Sequence, residues 1–338
     1  MMAHPSDRVV IYGPGNLGCY FGGRLLASGI HVVFVGRPSF AKTAHTGFVV
    51  KDATGGRYQV RPGQIEIISP EEVLTSDTVI VAVKSGATGE VAEILSQIGP
   101  HSIVSIQNGL RNSELLADAC LNSDVSSAIV PFNVIRDSAG AYVQTVRGQL
   151  VVQSSALDFT LMLSYAEIPH VTVPDIGPVQ RGKLLMNLNN AIHALSGRSL
   201  PAELRDRRFR RILADAQDEA LNAFRTGDLD VSSPVPCLPA HAIPTLLRLP
   251  DWIFVRIARQ MLKNDDASSS MRDDLEAGRP TEIDWLNGEV CRLLKSSGRK
   301  ARVNARLVEI VKKFEATDDL PNYSAVELDA LVNNAGNN

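Results

Sequence analysis

Two apolar runs flank a helical pattern near the start of the chain. Arg8–Tyr12 and His31–Val35 are short, continuous and rich in β-branched residues, as is typical of strands buried on both faces. Between them, apolar residues recur with helical period up to Ser28, and Gly29 ends the pattern. The stretch therefore predicts a strand–helix–strand unit.

The alternation of strands and helices continues to about residue 153. Further helices are predicted at 70–74, 87–97 and 111–120. Further strands are predicted at 48–50, 58–60, 65–68, 78–83, 102–106 and 125–130, with two more between 142 and 153. The strands at 48–50 and 58–60 flank a Gly-Gly turn and predict a hairpin. This order of elements predicts an α/β fold with a mostly parallel sheet covered by helices on both faces.

Near Val173 the strand signal ends and helical patterns follow. These cover 180–195, 206–224, 252–262, 283–295 and 304–314. We place a domain boundary between Val173 and Val179, where prolines and a glycine break the pattern. Residues 317–338 are predicted to form a polar tail, partly disordered. The proline-rich stretch 234–250 is interpreted as an irregular crossing between helices, with a flap over the active site as the alternative.

A glycine-rich motif lies between the first predicted strand and its helix. The sequence GPGNLG at Gly13–Gly18 matches G-x-G-x-x-G in the context where this pattern predicts dinucleotide binding. Gly13 permits the tight turn, Gly15 lets the backbone approach a pyrophosphate, and Gly18 lets the helix pack closely on the strand. The helix N-terminus would bind the phosphates. The alternative is a glycine turn in another kind of βαβ unit.

The end of the second strand indicates which dinucleotide is bound. An NAD site usually has Asp or Glu there to bind the ribose 2′-hydroxyl, whereas this strand ends Val35-Gly36-Arg37. Arginine is a permanent cation with a planar fork of donors that suits a phosphate. We therefore predict NADPH, with Arg37 on its 2′-phosphate. The alternative is an arginine that only solvates the strand end.

Composition excludes several classes of protein. The 338 residues suffice for two domains with cores of their own, and the net charge of −3 gives no general attraction to nucleic acid or to an anionic membrane. No apolar run approaches the roughly 20 residues of a membrane helix, and MMAHPSDR lacks the apolar core of a secretory signal. We predict a cytoplasmic protein without a metal site, because the cysteine spacing fits neither zinc nor a redox pair: Cys19, Cys120, Cys237 and Cys291.

A basic cluster marks the start of one predicted helix. It contains arginines at 205, 207, 208, 210 and 211. Contact with nucleic acid or phosphate is one interpretation. We favour the other, a solvated helix face balanced by the acidic residues Asp206, Asp215, Asp218 and Glu219.

Two polar residues follow predicted strand ends in the first half. In an open α/β sheet, ligands bind beyond the carboxyl ends of the strands. Lys84 and Asn108 are therefore expected to face the cofactor. Asn108 precedes Gly109, so a plain turn residue is the alternative there.

Two stretches of the helical half contain candidate catalytic residues. Lys183 and Asn187 are four residues apart on a predicted helix, so both point the same way, and the apolar neighbours would lower the pKa of Lys183 by desolvation. The alternative is a surface lysine beside a core face. Thr281 and Asp284 have the spacing of a weak capping box, which would put Glu282 in the first turn of a helix. The carboxylate of Glu282 would then orient an ammonium group or a substrate hydroxyl. The alternative is that it only interacts favourably with the dipole at the start of the helix.

Several separated motifs resemble those of ketopantoate reductases (2-dehydropantoate 2-reductases). They are GPGNLG at 13–18, VAVKS at 81–85, QNGLRN at 107–112, KLLMN at 183–187 and SSMRDDLEAGRPTEIDWLNG at 269–288. The resemblance implies an N-terminal Rossmann-type doubly wound sheet that binds NADP (1–175) and a C-terminal all-helical substrate and catalytic domain (176–316). It also implies that NADPH lies in the cleft between them.

The resemblance further implies roles for individual residues. Lys183 falls on the family's catalytic lysine and Glu282 on its assisting glutamate. Asn187, Ser270 and Asn108 fall on substrate-binding positions. The cofactor-binding residues implied by the motif and the resemblance are Gly13, Gly15, Asn16, Leu17, Gly18, Arg37, Lys84 and Asn108.

The reaction expected from this resemblance is hydride transfer from NADPH to the 2-oxo carbon of ketopantoate, with Lys183 as general acid. It implies a place in pantothenate biosynthesis and a small 2-oxo acid as ligand. We also expect a homodimer, with neither nucleic acid nor a membrane as partner. A second asparagine of the family would fall at Ala191, where this sequence has Asn189 and Asn190 nearby instead. The exact 2-oxo acid therefore stays open. The alternatives are a reductase of another 2-oxo acid or ketone, and a non-catalytic NADPH-binding sensor.

Overall fold

The computed structural model describes residues 8–235, 237–259, 270–317 and 319–333. The chain forms two compact units, which divide between Ile176 and Gly177. This division falls in the segment where Pro174, Gly177 and Pro178 interrupt the sequence pattern. In the described part of the chain, no helix is long and apolar enough to cross a membrane.

The first unit contains strands and helices in alternation. Its helices are α1 (Asn16–Ala27), α2 (Phe40–Thr46), α3 (Thr88–Ile98), α4 (Asn112–Ala119) and α5 (Leu157–Tyr165). Its strands are β1 (Val9–Tyr12), β2 (Val32–Val35), β3 (Phe48–Lys51), β4 (Arg57–Val60), β5 (Glu66–Ile67), β6 (Thr78–Val81), β7 (Ser102–Ser105), β8 (Asp124–Ile129), β9 (Val134–Arg136), β10 (Tyr142–Gln144), β11 (Leu150–Gln153) and β12 (His170–Val173).

The main sheet has eight strands in the order β12-β11-β8-β7-β6-β1-β2-β5. All pairs from β8 to β5 are parallel, whereas β11 is antiparallel to β8. The chain runs outward from β1 to β2 and later returns to β6 on the other side of β1, so the strand order reverses there. The predicted Rossmann-type doubly wound sheet is confirmed. The predicted hairpin is also confirmed, because β3 and β4 pair antiparallel in a second, four-stranded sheet.

Alternate residues of the central strands enter two separate cores. Val9 and Ile11 of β1 pack in the core on one face of the sheet, and Val10 packs in the core on the other. All four β1 residues are buried. Because both faces of the sheet are covered, polar and apolar residues do not alternate along this strand, which explains the continuous apolar run in the sequence.

The second unit is helical. Its helices are α6 (Gly177–Asn187), α7 (Asn189–Ser196), α8 (Leu200–Arg205), α9 (Arg207–Thr226), α10 (Ile243–Leu247), α11 (Asp251–Ile257), α12 (Ser270–Glu276), α13 (Asn287–Ser296), α14 (Arg302–Glu315) and α15 (Ala325–Asn333). No strand occurs in the described residues of this unit. The predicted all-helical domain is therefore confirmed.

Several predicted boundaries in this half are wrong. The single helix predicted at 180–195 is two helices, α6 and α7, which are interrupted at Leu188. The predicted polar tail contains α15, whose residues Ala325, Leu328 and Val332 are buried at helical spacing. The predicted disorder at 334–338 and the predicted helical residues 260–262 lie outside the described residues.

The basic cluster at the start of α9 is only partly a solvated face. Arg210 is fully buried, and it donates to the carbonyl oxygens of Leu204, Leu247 and Leu249. Glu219 accepts hydrogen bonds from backbone N–H groups in the first turn of α14 and does not balance the arginines. The favoured interpretation of the cluster is therefore wrong for these two side chains.

Candidate functional site

The glycine-rich motif of the first unit forms a tight loop between β1 and α1. The Gly13 N–H donates to the Val35 carbonyl at 2.9 Å, and the Gly15 N–H donates to the Gly13 carbonyl at 2.8 Å. No side chain caps the N-terminus of α1, which begins at Asn16. Its N–H groups are thus available to an anion, as the motif requires.

The three glycines of the motif are under different structural constraints. Gly13 has φ +99°, and a Cβ there would lie 2.7 Å from Cγ1 of Val83. A Cβ on Gly18 would lie 2.2 Å from the carbonyl oxygen of Gly13. A Cβ on Gly15 would meet nothing within 4 Å. The fold therefore requires Gly13 and Gly18, whereas at Gly15 it leaves open space beside the loop.

The end of β2 lies against this loop. A Cβ on Gly36 would lie 2.4 Å from Cγ of Pro14, so only glycine lets the strand end approach the loop this closely. Arg37 is the next residue, and its side chain is exposed. Gly36 was not among the predicted site residues, although its close approach to Pro14 brings the backbone before Arg37 against the glycine-rich loop.

The loops after β6 and β7 are joined by a buried hydrogen-bond network. The Ser85 hydroxyl donates to the Asn108 carbonyl at 3.1 Å, and the Asn112 amide donates to the Ser85 hydroxyl at 3.1 Å. The Thr88 hydroxyl donates to the side-chain Oδ1 of Asn112 at 2.7 Å. Lys84 is exposed and Asn108 partly buried. Ser85 and Asn112 lie inside the VAVKS and QNGLRN motifs, but no pattern in the sequence indicates that their side chains join the loops after β6 and β7.

In the second unit, Lys183 lies on α6 among buried leucines. Leu184 and Leu185 are almost fully buried, and the Lys183 side chain is partly buried. Burial lowers the pKa of Lys183 to about 8, and the negative charge of nearby Glu282 opposes that shift. The structure thus brings together two residues that are far apart in sequence. An ammonium with a pKa near neutrality is suited to donate a proton.

The local structure around Glu282 differs from the prediction. Thr281 accepts from the Ile283 N–H at 3.2 Å, and Asp284 forms an ion pair with Lys312, so no capping box forms. Ile283–Trp285 is a single 3₁₀ turn, and α13 begins only at Asn287. Glu282 is buried at the start of that turn. The predicted position of Glu282 in the first turn of a helix is therefore wrong, although its negative charge acts on Lys183.

Two of the predicted substrate-binding residues lie on helices of this unit, and the third, Asn108, lies in the first unit. Asn187 is the last residue of α6 and Ser270 the first of α12, and both are partly buried. Ala191 is fully buried in α7. The Asn189 amide donates to Glu203 at 2.9 Å, so this asparagine is committed within the protein. Ser268 and Ser269 lie outside the described residues.

Two residues hold α6 in place and were missed in the sequence. The buried Gln217 amide donates to the Leu185 carbonyl at 3.0 Å, just before the interruption at Leu188. A Cβ on Gly182 would lie 2.1 Å from the Ser232 carbonyl oxygen, so the chain after α9 contacts α6 next to Lys183. Among the described residues, no group of three His, Cys, Asp or Glu side chains is arranged to hold a metal ion.

Two family models match consecutive parts of this chain. Residues 9–156 match the model described as ketopantoate reductase PanE/ApbA, and residues 175–315 match ketopantoate reductase PanE/ApbA C terminal. The chain belongs to the ketopantoate reductase family. Members of this family are pyridine-nucleotide oxidoreductases that act on 2-dehydropantoate, so the predicted family and the predicted class of enzyme are confirmed.

The relatives are distant but match over nearly their full length. A 2-dehydropantoate 2-reductase of Halobacterium salinarum is 26% identical over 320 residues, which cover 90% of this chain and 98% of the relative. The solved PanE/ApbA family ketopantoate reductase of Ralstonia eutropha has a TM-score of 0.76 at 25% identity, covering 91% of this chain and 98% of that one. D-mandelate dehydrogenase with NADH and anilino(oxo)acetate has a TM-score of 0.74 at 16% identity, covering 91% and 98%. This last likeness shows the fold alone.

Proposed function

We propose that the protein reduces ketopantoate to pantoate with NADPH, using Lys183 as the general acid. The main support for the proposal is the environment of Lys183. This residue lies on the helical unit among buried leucines, close to the buried Glu282, with its pKa lowered to about 8. The family match and the 2-dehydropantoate 2-reductases among its relatives support the choice of substrate.

The proposed chemistry assigns a task to each residue. A bound reduced nicotinamide supplies the hydride. As hydride adds to the ketone carbon, negative charge develops on the carbonyl oxygen, and the Lys183 ammonium stabilises that charge and donates a proton. Glu282 keeps the lysine charged and oriented, Asn187 holds the substrate beside it, and Ser270 binds the substrate carboxylate.

We propose NADPH as the cofactor because of the loop and the strand end beside it. The uncapped N-terminus of α1 and the open space beside Gly15 fit a pyrophosphate. Arg37 lies next to this loop, where no acidic side chain follows β2 to bind a ribose hydroxyl. Lys84, Asn108, Asn16 and Leu17 complete the proposed cofactor side. The D-mandelate dehydrogenase structures contain NADH, so the preference needs its own test.

Arg37→Ala is expected to raise the KM for NADPH by about tenfold or more and to leave the KM for NADH within about twofold. The reason is that a charge-assisted hydrogen bond to phosphate is worth about 1.5–3 kcal/mol, and NADH lacks that phosphate. Initial rates with each cofactor measure the effect. Arg57→Ala, which removes an exposed arginine on β4, is the matched control. Equal changes for both cofactors would contradict the 2′-phosphate role.

Gly15→Ala and Gly18→Ala are expected to fail in different ways. Gly15→Ala should fold normally, because its Cβ meets no protein atom within 4 Å, yet bind NADPH at least about tenfold more weakly. Gly18→Ala should lower the melting temperature without cofactor, because its Cβ would lie 2.2 Å from a backbone oxygen. Thermal unfolding and NADPH fluorescence titration measure the two effects. Unchanged NADPH affinity in Gly15→Ala would contradict the phosphate-loop assignment.

A reductase of another 2-oxo acid is the second candidate. Ala191 has no amide, and the Asn189 amide donates to Glu203, so the family's second asparagine has no direct counterpart at this position. Loss of such a donor changes which substrate is preferred. The D-mandelate dehydrogenase of similar fold holds anilino(oxo)acetate, which is a larger 2-oxo acid derivative than ketopantoate.

The test is NADPH oxidation by the purified protein with ketopantoate and with a panel of 2-oxo acids, including phenylglyoxylate. Strong preference for ketopantoate would support the proposal. Preference for another 2-oxo acid would retain the chemistry and overturn the substrate. Tight NADPH binding with no turnover of any substrate would favour the sensor alternative and overturn the enzymatic proposal.

We also propose a cytoplasmic location, a role in pantothenate biosynthesis, and a homodimer. The four cysteines are free, as expected in a reducing compartment. The biosynthetic role follows from the proposed substrate. A dimeric ketopantoate reductase from Staphylococcus aureus is among the structures of similar fold. Gel filtration with light scattering tests the dimer directly.

A further inference from the structure

A buried carboxylate in the second unit has no role in the chemistry proposed above. Glu203 of α8 is only 1% exposed. Its Oε2 accepts from the Asn189 amide at 2.9 Å, and its Oε1 accepts from the Ser196 hydroxyl at 2.5 Å. His193 Nδ1 lies 3.8 Å from the same Oε1. A buried carboxyl group is costly unless it is hydrogen-bonded, so these contacts are a defined part of the fold.

The side chains that face Glu203 span the whole of α7, and those at its two ends donate to the carboxyl group. Asn189 is its first residue, Ser196 is its last, and His193 lies between them at helical spacing. The three side chains therefore share one face of the helix, and this face is turned toward Glu203. A single carboxyl group thus fixes both the position and the rotation of α7.

The helix that Glu203 fixes is adjacent to the proposed catalytic residues. Only Leu188 separates α7 from α6, which carries Lys183 and Asn187. The Leu188 N–H still donates to the Leu184 carbonyl at 3.0 Å. A rotation of α7 would therefore be transmitted to the last turn of α6, where Asn187 lies.

The other end of α7 holds the helix that begins with Ser270. Arg272 of α12 donates to the Ala194 carbonyl at 3.0 Å and to the Pro321 carbonyl at 2.6 Å. Gly197 follows α7 with φ +62°, and a Cβ there would lie 3.3 Å from the Arg272 guanidinium. A cation bound at a helix C-terminus is favourable. Helix α7 therefore connects the helix of Lys183 with the helix of Ser270.

We propose that Glu203 is a positioning residue for the reduction: by fixing α7, it sets the distance between the Lys183–Asn187 turn and Ser270. This inference rests on the proposed function. It assigns Glu203 no contact with the substrate or with the cofactor. Its effect is expected on the use of the 2-oxo acid and not on the binding of NADPH.

The experiment compares Glu203→Leu and Glu203→Gln with the wild-type protein, using the 2-oxo acid that the wild type turns over best. Leucine fills the space but accepts no hydrogen bond. Glutamine keeps one acceptor oxygen, and the Asn189 amide can reverse to accept from its NH₂ group. We expect kcat/KM for the 2-oxo acid to fall at least about tenfold in the leucine variant, since small misplacement of reacting groups is costly. Glutamine should restore most of it.

The matched control is Glu219→Leu. Glu219 is another carboxylate of this unit, and its hydrogen bonds in the described part of the chain go to the start of α14. We expect it to lower the melting temperature while kcat/KM stays within about twofold of the wild type. The Kd for NADPH should be unchanged in every variant. A purely structural role of Glu203 would give the same result as the control.

The outcomes separate the two proposals. If the wild type is active, two results would overturn the positioning role alone. One is a folded Glu203→Leu variant with the same kcat/KM as the wild type. The other is a loss of kcat/KM in Glu219→Leu as large as that in Glu203→Leu. A wild type that turns over no 2-oxo acid would overturn the proposed function and the positioning role with it. If Glu203→Leu does not fold, Ser196→Ala removes one of the two hydrogen bonds, and its kcat/KM is expected to fall about threefold; an unchanged value would overturn the positioning role.

Discussion

Replacing Lys183 with alanine is expected to reduce turnover of the 2-oxo acid by at least about a thousandfold, with NADPH affinity within about twofold of the wild type. General acid catalysis contributes about 10²–10⁴-fold, and the same ammonium stabilises the developing oxyanion. The proposed phosphate loop is in the other unit, so the cofactor loses no contact there. Steady-state kinetics and NADPH fluorescence measure the two quantities. Equal losses in turnover and NADPH affinity would contradict the assignment.

The pH dependence gives an independent check on the same residue. Lys183 donates a proton only as the ammonium, and burial lowers its pKa to about 8. We therefore expect kcat/KM of the wild type to be level below pH 7 and to fall as the pH rises through about 8. Lys183→Arg keeps the positive charge, but arginine does not titrate in this pH range. We expect this variant to have a lower kcat/KM that does not fall as the pH rises through about 8. An identical fall in both proteins would mean that another group causes it.

The elements that the sequence predicted well are those whose burial is nearly complete. The strand Val9–Tyr12 has a continuous apolar sequence because both faces of the sheet are covered. The motif at Gly13–Gly18 has a required spacing, because close backbone contacts demand glycine at two of its positions. The short helices α8, α10 and α12 were missed, since segments of five to seven residues give too few turns for a periodic pattern.

The candidate site was predictable only as separate pieces. Residue types and spacing indicated Lys183, but nothing local shows that Glu282 lies beside it. The packing that brings them together depends on contacts between helices distant in sequence. Glu203 and Gln217 were missed for the same reason, because a single acid or amide in a helical pattern reads as an exposed side chain. Their hydrogen bonds to α6 and α7 exist only in the folded unit.

The basic cluster at the start of α9 shows how composition can mislead. Five arginines beside several acidic residues are typical of a solvated face, and Arg211 is indeed exposed. Arg210, however, is fully buried and points into the core. Its guanidinium donates to three carbonyl oxygens and to Asp251, and it lies 4.3 Å from the centre of the Phe254 ring. Position on the helix, and not composition, separates these two neighbours.

Arg210→Met is expected to lower the free energy of unfolding of the helical unit by about 3–5 kcal/mol, because three carbonyl oxygens lose the hydrogen bonds of one buried guanidinium. The ion pair adds little to this loss, since its partner Asp251 is exposed. Methionine fills similar space but donates nothing, so the Leu204, Leu247 and Leu249 carbonyls lose their donor, and a buried acceptor left unpaired costs about 1–3 kcal/mol. Denaturant unfolding measures the change. Arg211→Met, the exposed neighbour, should stay within about 0.5 kcal/mol.

The same guanidinium joins α9 to the chain between Leu247 and Asp251, at the end of the proline-rich stretch. Helix α10 in this stretch packs against α9, so its anchorage depends on Arg210. Limited proteolysis of Arg210→Met should therefore cut first between 243 and 257, because local opening precedes global unfolding where contacts are lost. A loss below about 1 kcal/mol with an unchanged cleavage pattern would mean that the carbonyls find other donors, and that the buried arginine is not what holds this segment on α9.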